Sequence, residues 1–396
     1  MTTTTNNEHK KLNVPNLRFK EFQGEWEKYK LSEICTFFSG GTPSSSNKDF
    51  YGEDIAFIRS GELHADRTEL FITQAGFDNS SAKMVEVGDL LLAMYGATSG
   101  DISISKIKGA INQAILCIRT KQNKKFTESV WNKHVSKILR KYLQGGQGNL
   151  SADIVKGISF SFPPLKEQGK IANLMSLLDE RIATQNKIIE DLKKLKSAII
   201  EKHYSQVEKQ TTCIADLGEP FSVGNLAKDD LTETGMPCVI YGELFTTYGE
   251  NIFHIESHTN KTDGMILSKK GDLLFPSSTT VDAMSLIAPS VINVGGVILG
   301  GDMFGIHISP NYNAQYLSYY FNHIAKRQLA KFAKGSTIIH LHYTDIEKAK
   351  LLLPSLEEQN RMAMCLVSLD EKVAIEQKLL SSLTCQKSYL LRQMFI

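Results

Sequence analysis

The chain has 396 residues, of which 42% are hydrophobic and 22% charged, with a formal net charge of +2. That composition fits a globular protein with room for two or three domains, and it excludes a disordered chain, a disulfide scaffold and a strongly basic nucleic-acid arm. No apolar run approaches the roughly 18 residues a membrane span needs, and the six cysteines form no CxxC pair, so a cytoplasmic protein with reduced thiols is expected.

Residues 1–13 form a polar tail rich in Thr and Asn. A first globular unit spans 14–163, with a loop by composition at Ser39-Gly40-Gly41-Thr42-Pro43 and a strand at Ile55–Arg59 ending in Gly61-Glu62-Leu63. Gly88-Asp89-Leu90-Leu91 is a turn feeding a buried strand, followed by the polar loop Tyr95–Gly100 and further strands at Ile102–Ile104 and Ala114–Ile118. Trp131, Val135, Ile138, Leu139 and Tyr142 have helical spacing, which stops at Gly145-Gly146-Gln147-Gly148-Asn149.

Residues 164–204 then read as one long helix. A second globular unit at 205–353 repeats the plan loosely, and a second long helix occupies 354–396. Ile214-Ala215-Asp216-Leu217 matches Leu31-Ser32-Glu33-Ile34, Gly242-Glu243-Leu244 matches Gly61-Glu62-Leu63, and Gly271-Asp272-Leu273-Leu274 matches Gly88-Asp89-Leu90-Leu91. A helix over Tyr316–Phe332 is the expected counterpart of the one ending near Tyr142. The loops between these anchors differ, and so does the charge: residues 205–345 carry 9 Lys/Arg against 14 Asp/Glu.

The long helices are the closest repeat. Pro163-Pro164-Leu165-Lys166-Glu167-Gln168 and Pro354-Ser355-Leu356-Glu357-Glu358-Gln359 stand 191 residues apart, and Leu178-Asp179-Glu180 and Leu369-Asp370-Glu371 keep that offset. Ile171, Leu174, Leu178, Ile182, Ile189 and Leu192 make one apolar stripe; Met362, Cys365, Leu369, Val373, Leu380 and Leu383 make the other. A helix of about 58 Å with a single stripe cannot bury itself alone, so the two are expected to pair antiparallel, with Gln185 and Glu376 as polar seam positions. The expected fold class is α+β: two mixed α/β globular domains joined by two long helices in an antiparallel coiled coil, with a pseudo-two-fold internal repeat.

Catalytic signatures are missing. Phe162-Pro163-Pro164-Leu165 lacks the Asn/Asp and the aromatic of an amino-methyltransferase motif, and Phe38-Ser39-Gly40-Gly41-Thr42 is one glycine short of a cofactor loop. There is no GxxxxGK[ST] loop, and no proline is followed by aspartate as in a common nuclease site. His340 with His342 on a strand face, and His254 with His258 on a helix turn, have the spacing of metal pairs but no third ligand, so no metal site is expected.

The duplicated Pro-x-Leu-x-Glu-Gln helices, the Ser39–Pro43 loop, the two Gly-Asp-Leu-Leu turns and Gly148-Asn149-Leu150 together resemble the specificity (S) subunits of type I restriction-modification systems, from about Val14 to Phe395. The resemblance implies a non-catalytic subunit of a restriction endonuclease and adenine-specific DNA methyltransferase complex. Its two target-recognition domains, 14–163 and 205–353, would each read half of a split double-stranded DNA target. The helices would space the readers and dock two modification (methyltransferase) subunits, with restriction/translocase subunits as further partners. S-adenosylmethionine, ATP and Mg2+ would belong to those partners and not to this chain.

Base edges are read by polar side chains on loops, Arg or Lys suiting guanine and Asn or Gln adenine. Candidates in the first domain are Ser44, Ser45, Lys48, Arg59, Tyr95, Thr98, Ser99, Asn112, Gln113, Gln147 and Asn149. In the second they are Asn225, Lys228, Tyr241, Ser277, Ser278, Thr279, Thr280, Lys334, Ser336 and Thr337. The second domain has Ser222-Val223-Gly224-Asn225 in place of the Gly-Thr-Pro loop and no match to Asn112-Gln113, so contacts do not carry over between halves. Three other readings remain: a protein–protein scaffold without a DNA role, the recognition subunit of a related fused restriction-methylation system, and an enzyme with its own methyltransferase.

Overall fold

A computed structural model describes residues 12–142 and 150–396. The chain divides into two compact units: the first comprises Met1–Asn186 with Leu379–Ile396, the second Lys187–Lys378. Each unit therefore contains a globular part and a portion of both long helices.

In the first unit, Leu90–Ala93 explains the architecture. Its four consecutive apolar residues are all buried. Side chains alternate along a strand, so such a run needs cover on both faces. Leu90 and Leu92 join Phe126, Val130 and Trp131 of the helix Lys124–Tyr142. Leu91 and Ala93 join Ile58, Val85 and Ile111 of a second sheet. The first sheet runs Cys35–Ser39, Ile115–Thr120, Leu90–Ala93, Ile102–Ile104, all antiparallel. The second runs Phe71–Ile72, Tyr51–Ile58, Gly109–Ile111, Lys83–Val85, with one parallel pair in its middle. A ribbon of Glu27–Lys30 with Ser159–Phe162 closes the globular part.

The second unit uses the same order with additions. Its first sheet runs Gly218–Ser222, Met303–Ile308, Asp272–Pro276, Ser290–Ile292 and an extra Asn251–Ile252. Its second has Met236–Ile240 parallel to Ile298–Gly300 at the centre, and its ribbon pairs Gln210–Cys213 with Lys350–Leu353. The expected helix Tyr316–Phe332 is broken: Ala314–His323 ends where the Tyr320 carbonyl accepts from both Ile324 and Ala325, and the turns Lys326–Leu329 and Ala330–Phe332 follow. His254 and His258 share no helix, since Ser257–Thr259 is a strand.

The long helices are Leu165–Gln206 and Leu356–Met394. They run antiparallel within each unit. In the second unit Lys196 meets Asp370 and His203 meets Glu358, so numbers rise along one helix as they fall along the other. In the first, Asp179 meets Lys387, while Ile171, Ala172 and Met175 share a core with Met394 and Phe395. Of the expected stripe, Ile171, Leu178, Ile189, Met362, Val373 and Leu383 are buried, and Leu174, Ile182, Leu192, Leu369 and Leu380 half-buried. Cys365 is exposed; Leu366 takes its place, fully buried, because strict 4-3 spacing from Met362 lands there. Met175 is its counterpart, and Gln185 and Glu376 are buried as seam positions should be.

Candidate nucleic-acid interface

The duplicated acidic residues build the corners on which the candidate loops stand. Glu33, Glu62 and Asp89 accept the backbone N–H of Lys30, Arg59 and Glu86, each three residues upstream. Asp216, Glu243 and Asp272 do the same for Cys213, Ile240 and Lys269. These carboxylates satisfy turn donors that would otherwise lack partners. Gly88 and Gly271, at φ 90° and 94°, sit inside two of those turns, where a side chain would be strained.

In the first unit these corners bring four loops to one edge of the two sheets. The Gly40 backbone lies so close to the crossing Asn112-Gln113-Ala114 that an added Cβ would fall 1.7 Å from the Ile111 carbonyl oxygen. Thr42 donates to the Gln113 side chain at 2.5 Å, and Met94 N–H donates to the Ala114 carbonyl at 2.8 Å. Leu150 N–H donates to the Met94 carbonyl, and the Ser99 hydroxyl to the same oxygen. Ser44, Ser45, Lys48 and Gln113 are exposed; Tyr95, Thr98, Ser99 and Asn112 are half-buried. Asn112 also accepts from Ala114 N–H, a turn role. Arg59 is exposed but forked onto Glu62. Gln147 and Asn149 lie outside the described residues.

The second unit assembles the equivalent edge. Ser277 N–H donates to the Asp302 carbonyl at 2.7 Å, Gly301 N–H to the Gly224 carbonyl, and Leu341 N–H to the Ser277 carbonyl. Asn225 and Tyr241 line a depression of about 460 Å³ with Gly301 and Asp302. Ser277 and Ser278 are buried, so Thr279 and Thr280 carry the outward chemistry of that run. Lys228, Ser336 and Thr337 are exposed, and Lys334 is exposed but paired with Asp345 at 2.5 Å. The counterpart of the crossing Asn112-Gln113-Ala114 is Gly301-Asp302, whose Asp302 was absent from the sequence candidates. The duplicated turns locate it only once strand pairing is known.

The electrostatics of the two edges differ. Burial by itself raises the Asp89 carboxyl, but Arg119 and the Glu86 N–H outweigh it and hold it below the usual carboxylate range. Arg119 also lies over the Phe38 ring, 5.0 Å from its centroid. At the matching place Asp272 accepts from His307 at 2.6 Å, and His307 stacks on Phe221 with centroids 4.2 Å apart. Among the described residues no group of His, Cys, Asp or Glu is arranged to hold a metal ion, and no helix is long and apolar enough to cross a membrane.

A sequence profile of the type I restriction modification DNA specificity domain matches residues 23–194 and again residues 206–384. The chain belongs to this family. It is 22% identical to the Type I restriction enzyme MjaVIII specificity subunit of Methanocaldococcus jannaschii, covering 91% of each chain. It is equally identical to the Putative type I restriction enzyme MjaX specificity subunit of the same organism, covering 93% of this chain and 92% of that one. Its fold is similar to a crystal structure of the type I restriction-modification S subunit from M. genitalium, with a TM-score of 0.65 at 16% identity over 97% of this chain and 99% of that one. A chain solved in work on assembly and conformational transition of the type I R-M system gives 0.55 at 15% identity, covering 92% and 96%. The chain is thus a type I specificity subunit with two specificity domains, as expected for a bipartite DNA target.

In this specificity subunit the family helix motif has a mechanical role in each domain. The Gln168 side chain, buried, accepts from Asn123 N–H at the start of one helix and donates to the Pro163 carbonyl. Gln359 does the same with Asn313 N–H and the Pro354 carbonyl. Each glutamine ties a long helix to the globular helix beside it. The Asp of Leu-Asp-Glu is the other tie: Asp179 pairs with Lys387, and Asp370 with Lys196. Both lysines lie on the 4-3 seam, and the two pairs exchange under the 191-residue offset.

Proposed function

We propose that this subunit is the non-catalytic DNA reader of its system. Each edge described above reads one half of a split duplex target, and the long helices hold the readers apart and dock two modification subunits. Methyl transfer with S-adenosylmethionine, and ATP- and Mg2+-dependent translocation and cleavage, belong to the partner subunits, in the cytoplasm. The observation that carries this reading is the repetition of one corner, built by equivalent carboxylates and glycines, under exposed loops that differ. A shared scaffold with divergent loops suits two readers of different sequences. The modest net charge fits a subunit that shares phosphate contacts with its partners.

The test is reconstitution with the cognate modification subunit, followed by duplex binding at several salt concentrations and mapping of methylated bases. Salt-sensitive binding and a bipartite methylated consensus are expected; a complex that binds no duplex at low salt favours the scaffold reading. The purified chain incubated alone with labelled cofactor and DNA should transfer no methyl group. Adding one heptad to both helices, between Asp179 and Lys196 and between Asp370 and Lys387, lengthens each by about 10 Å. The gap between half-sites should then grow by about three base pairs with the half-sites unchanged. New half-site sequences with an old gap would refute the spacer role.

A further inference from the structure

The crossing Gly301-Asp302 joins Ile298–Gly300 of one sheet to Met303–Ile308 of the other. Its backbone is held by two neighbouring segments, Gly301 N–H on the Gly224 carbonyl and Ser277 N–H on the Asp302 carbonyl, and is closed locally by Met303 N–H on the Gly301 carbonyl. Gly301 adopts φ 91°, and a Cβ there would press on Tyr241. The tip is therefore rigid, and Asp302 is its one exposed functional side chain. Asp302 lines two depressions, of about 390 and 460 Å³, with His342 beside it in one and Asn225 in the other. Among the described residues no cation pairs with its carboxylate, so it stands open to a partner from outside the chain.

An unpaired carboxylate on a surface facing duplex DNA repels a phosphate charge every roughly 1.7 Å of helix axis. A hydrogen-bond donor on the DNA offsets that cost. In the major groove the donors are the amino groups of cytosine and adenine; adenine sets its amino group beside an acceptor and suits an amide, whereas cytosine presents the amino group alone and suits an acceptor-only carboxylate. We propose that Asp302 is a specificity-determining residue that accepts from the amino group of a cytosine in the half-site read by the second unit. In the first unit the same crossing carries no carboxylate: it holds Asn112 and Gln113, whose amide oxygens accept from Ala114 N–H and the Thr42 hydroxyl. The proposal rests on the DNA-reading function above.

The test maps methylated sites made by the reconstituted complex with the wild-type chain, Asp302→Asn and Asp302→Ala. One position of the second half-site should be cytosine for the wild type. Both variants should lose that preference by roughly tenfold or more, with Asp302→Asn shifting toward adenine. The remaining positions and the whole first half-site stay unchanged, which serves as the folding control inside the same molecule. An unaltered consensus in Asp302→Ala, or tighter binding to all duplexes alike, overturns the proposal by reducing Asp302 to a repulsive charge. Loss of the entire second half-site in both variants also overturns it, making Asp302 structural. A wild-type complex with no sequence preference instead sinks the DNA-reading function itself.

Discussion

The two units answer the same structural demand with different chemistry. Where the Leu-Asp-Glu aspartate meets the opposite helix, the second unit is the more enclosed. Lys196 bridges Asp370 and Glu250 with its side chain 12% exposed, His323 donates to Glu250, and Tyr319 donates to Asp370. In the first unit Lys387 is 32% exposed, and Asp179 has a second cation in Lys125. One tie is a buried hub with a single cation at its centre, the other a half-open pair with a spare. The difference predicts where the molecule breaks. Lys196→Met strands two carboxylates and should cost about 4 kcal/mol, while Lys387→Met should cost under about 1 kcal/mol. Urea unfolding of the full chain measures both, and equal losses would erase the distinction.

The same hub makes the second unit acid-sensitive. Burial by itself raises the Glu250 carboxyl, but the bond from His323 and the charge of Lys196 outweigh it and hold it at about 2, against an ordinary 4.5. A depressed carboxylate contributes stability that is fully present above its unfolded value and is lost as pH falls through the folded one. The window therefore runs from about 4.5 down to about 2, and the contribution at neutral pH is about 3 kcal/mol. Glu250→Gln should flatten the stability profile across that window; a variant with the wild-type slope would show that Glu250 does not set it.

What was legible in the sequence was what repeats for mechanical reasons. Gln168 and Gln359, the Gly-Asp-Leu-Leu turns and the antiparallel helices all stand out because a backbone donor or a seam position demands one residue type at one spacing. The seam itself was misplaced at Cys365, where an apolar residue fits the composition but Leu366 fits the strict 4-3 period. The helix expected at Tyr316–Phe332 failed because apolar spacing does not reveal a carbonyl that closes the helix early. At the edges, type alone misled: Ser277 and Ser278 share the composition of Thr279 and Thr280 but are buried. Asp302 was overlooked because its role follows from a crossing between sheets, visible only after the strands are paired.

Close approach separates the edges next. Gly40 leaves no room for a Cβ, with backbone atoms of Ile111 at 1.7 and 2.5 Å. Gly224 faces the flexible Met265 side chain at 2.9 Å. Gly40→Ala should cost about 2 kcal/mol or more and disturb reading by the first unit, whereas Gly224→Ala should cost less than about 1 kcal/mol because Met265 moves aside. Thermal unfolding together with methylation mapping distinguishes them, and a first half-site read normally by Gly40→Ala would show that the crossing tolerates displacement.

The smallest contrast concerns charge alone. Lys48 opens the short helical turn Lys48–Phe50 before the strand Tyr51–Ile58, and Lys228 opens Lys228–Asp230 before Leu231–Thr232. Both are exposed, and neither has an ion-pair partner among the described residues. A lysine in this position suits phosphate, which fixes register without reading sequence. Each Lys→Ala variant should therefore weaken binding to all duplexes alike and lower the salt slope by about one. The loss should be smaller for Lys228, which stands in the unit where residues 205–345 carry 14 Asp/Glu against 9 Lys/Arg, than for Lys48. Salt titrations of the reconstituted complex decide between the two. A changed consensus in either variant would move that lysine from phosphate positioning to base reading, and an equal slope change in both would show that the partners screen the acidic surplus of the second unit.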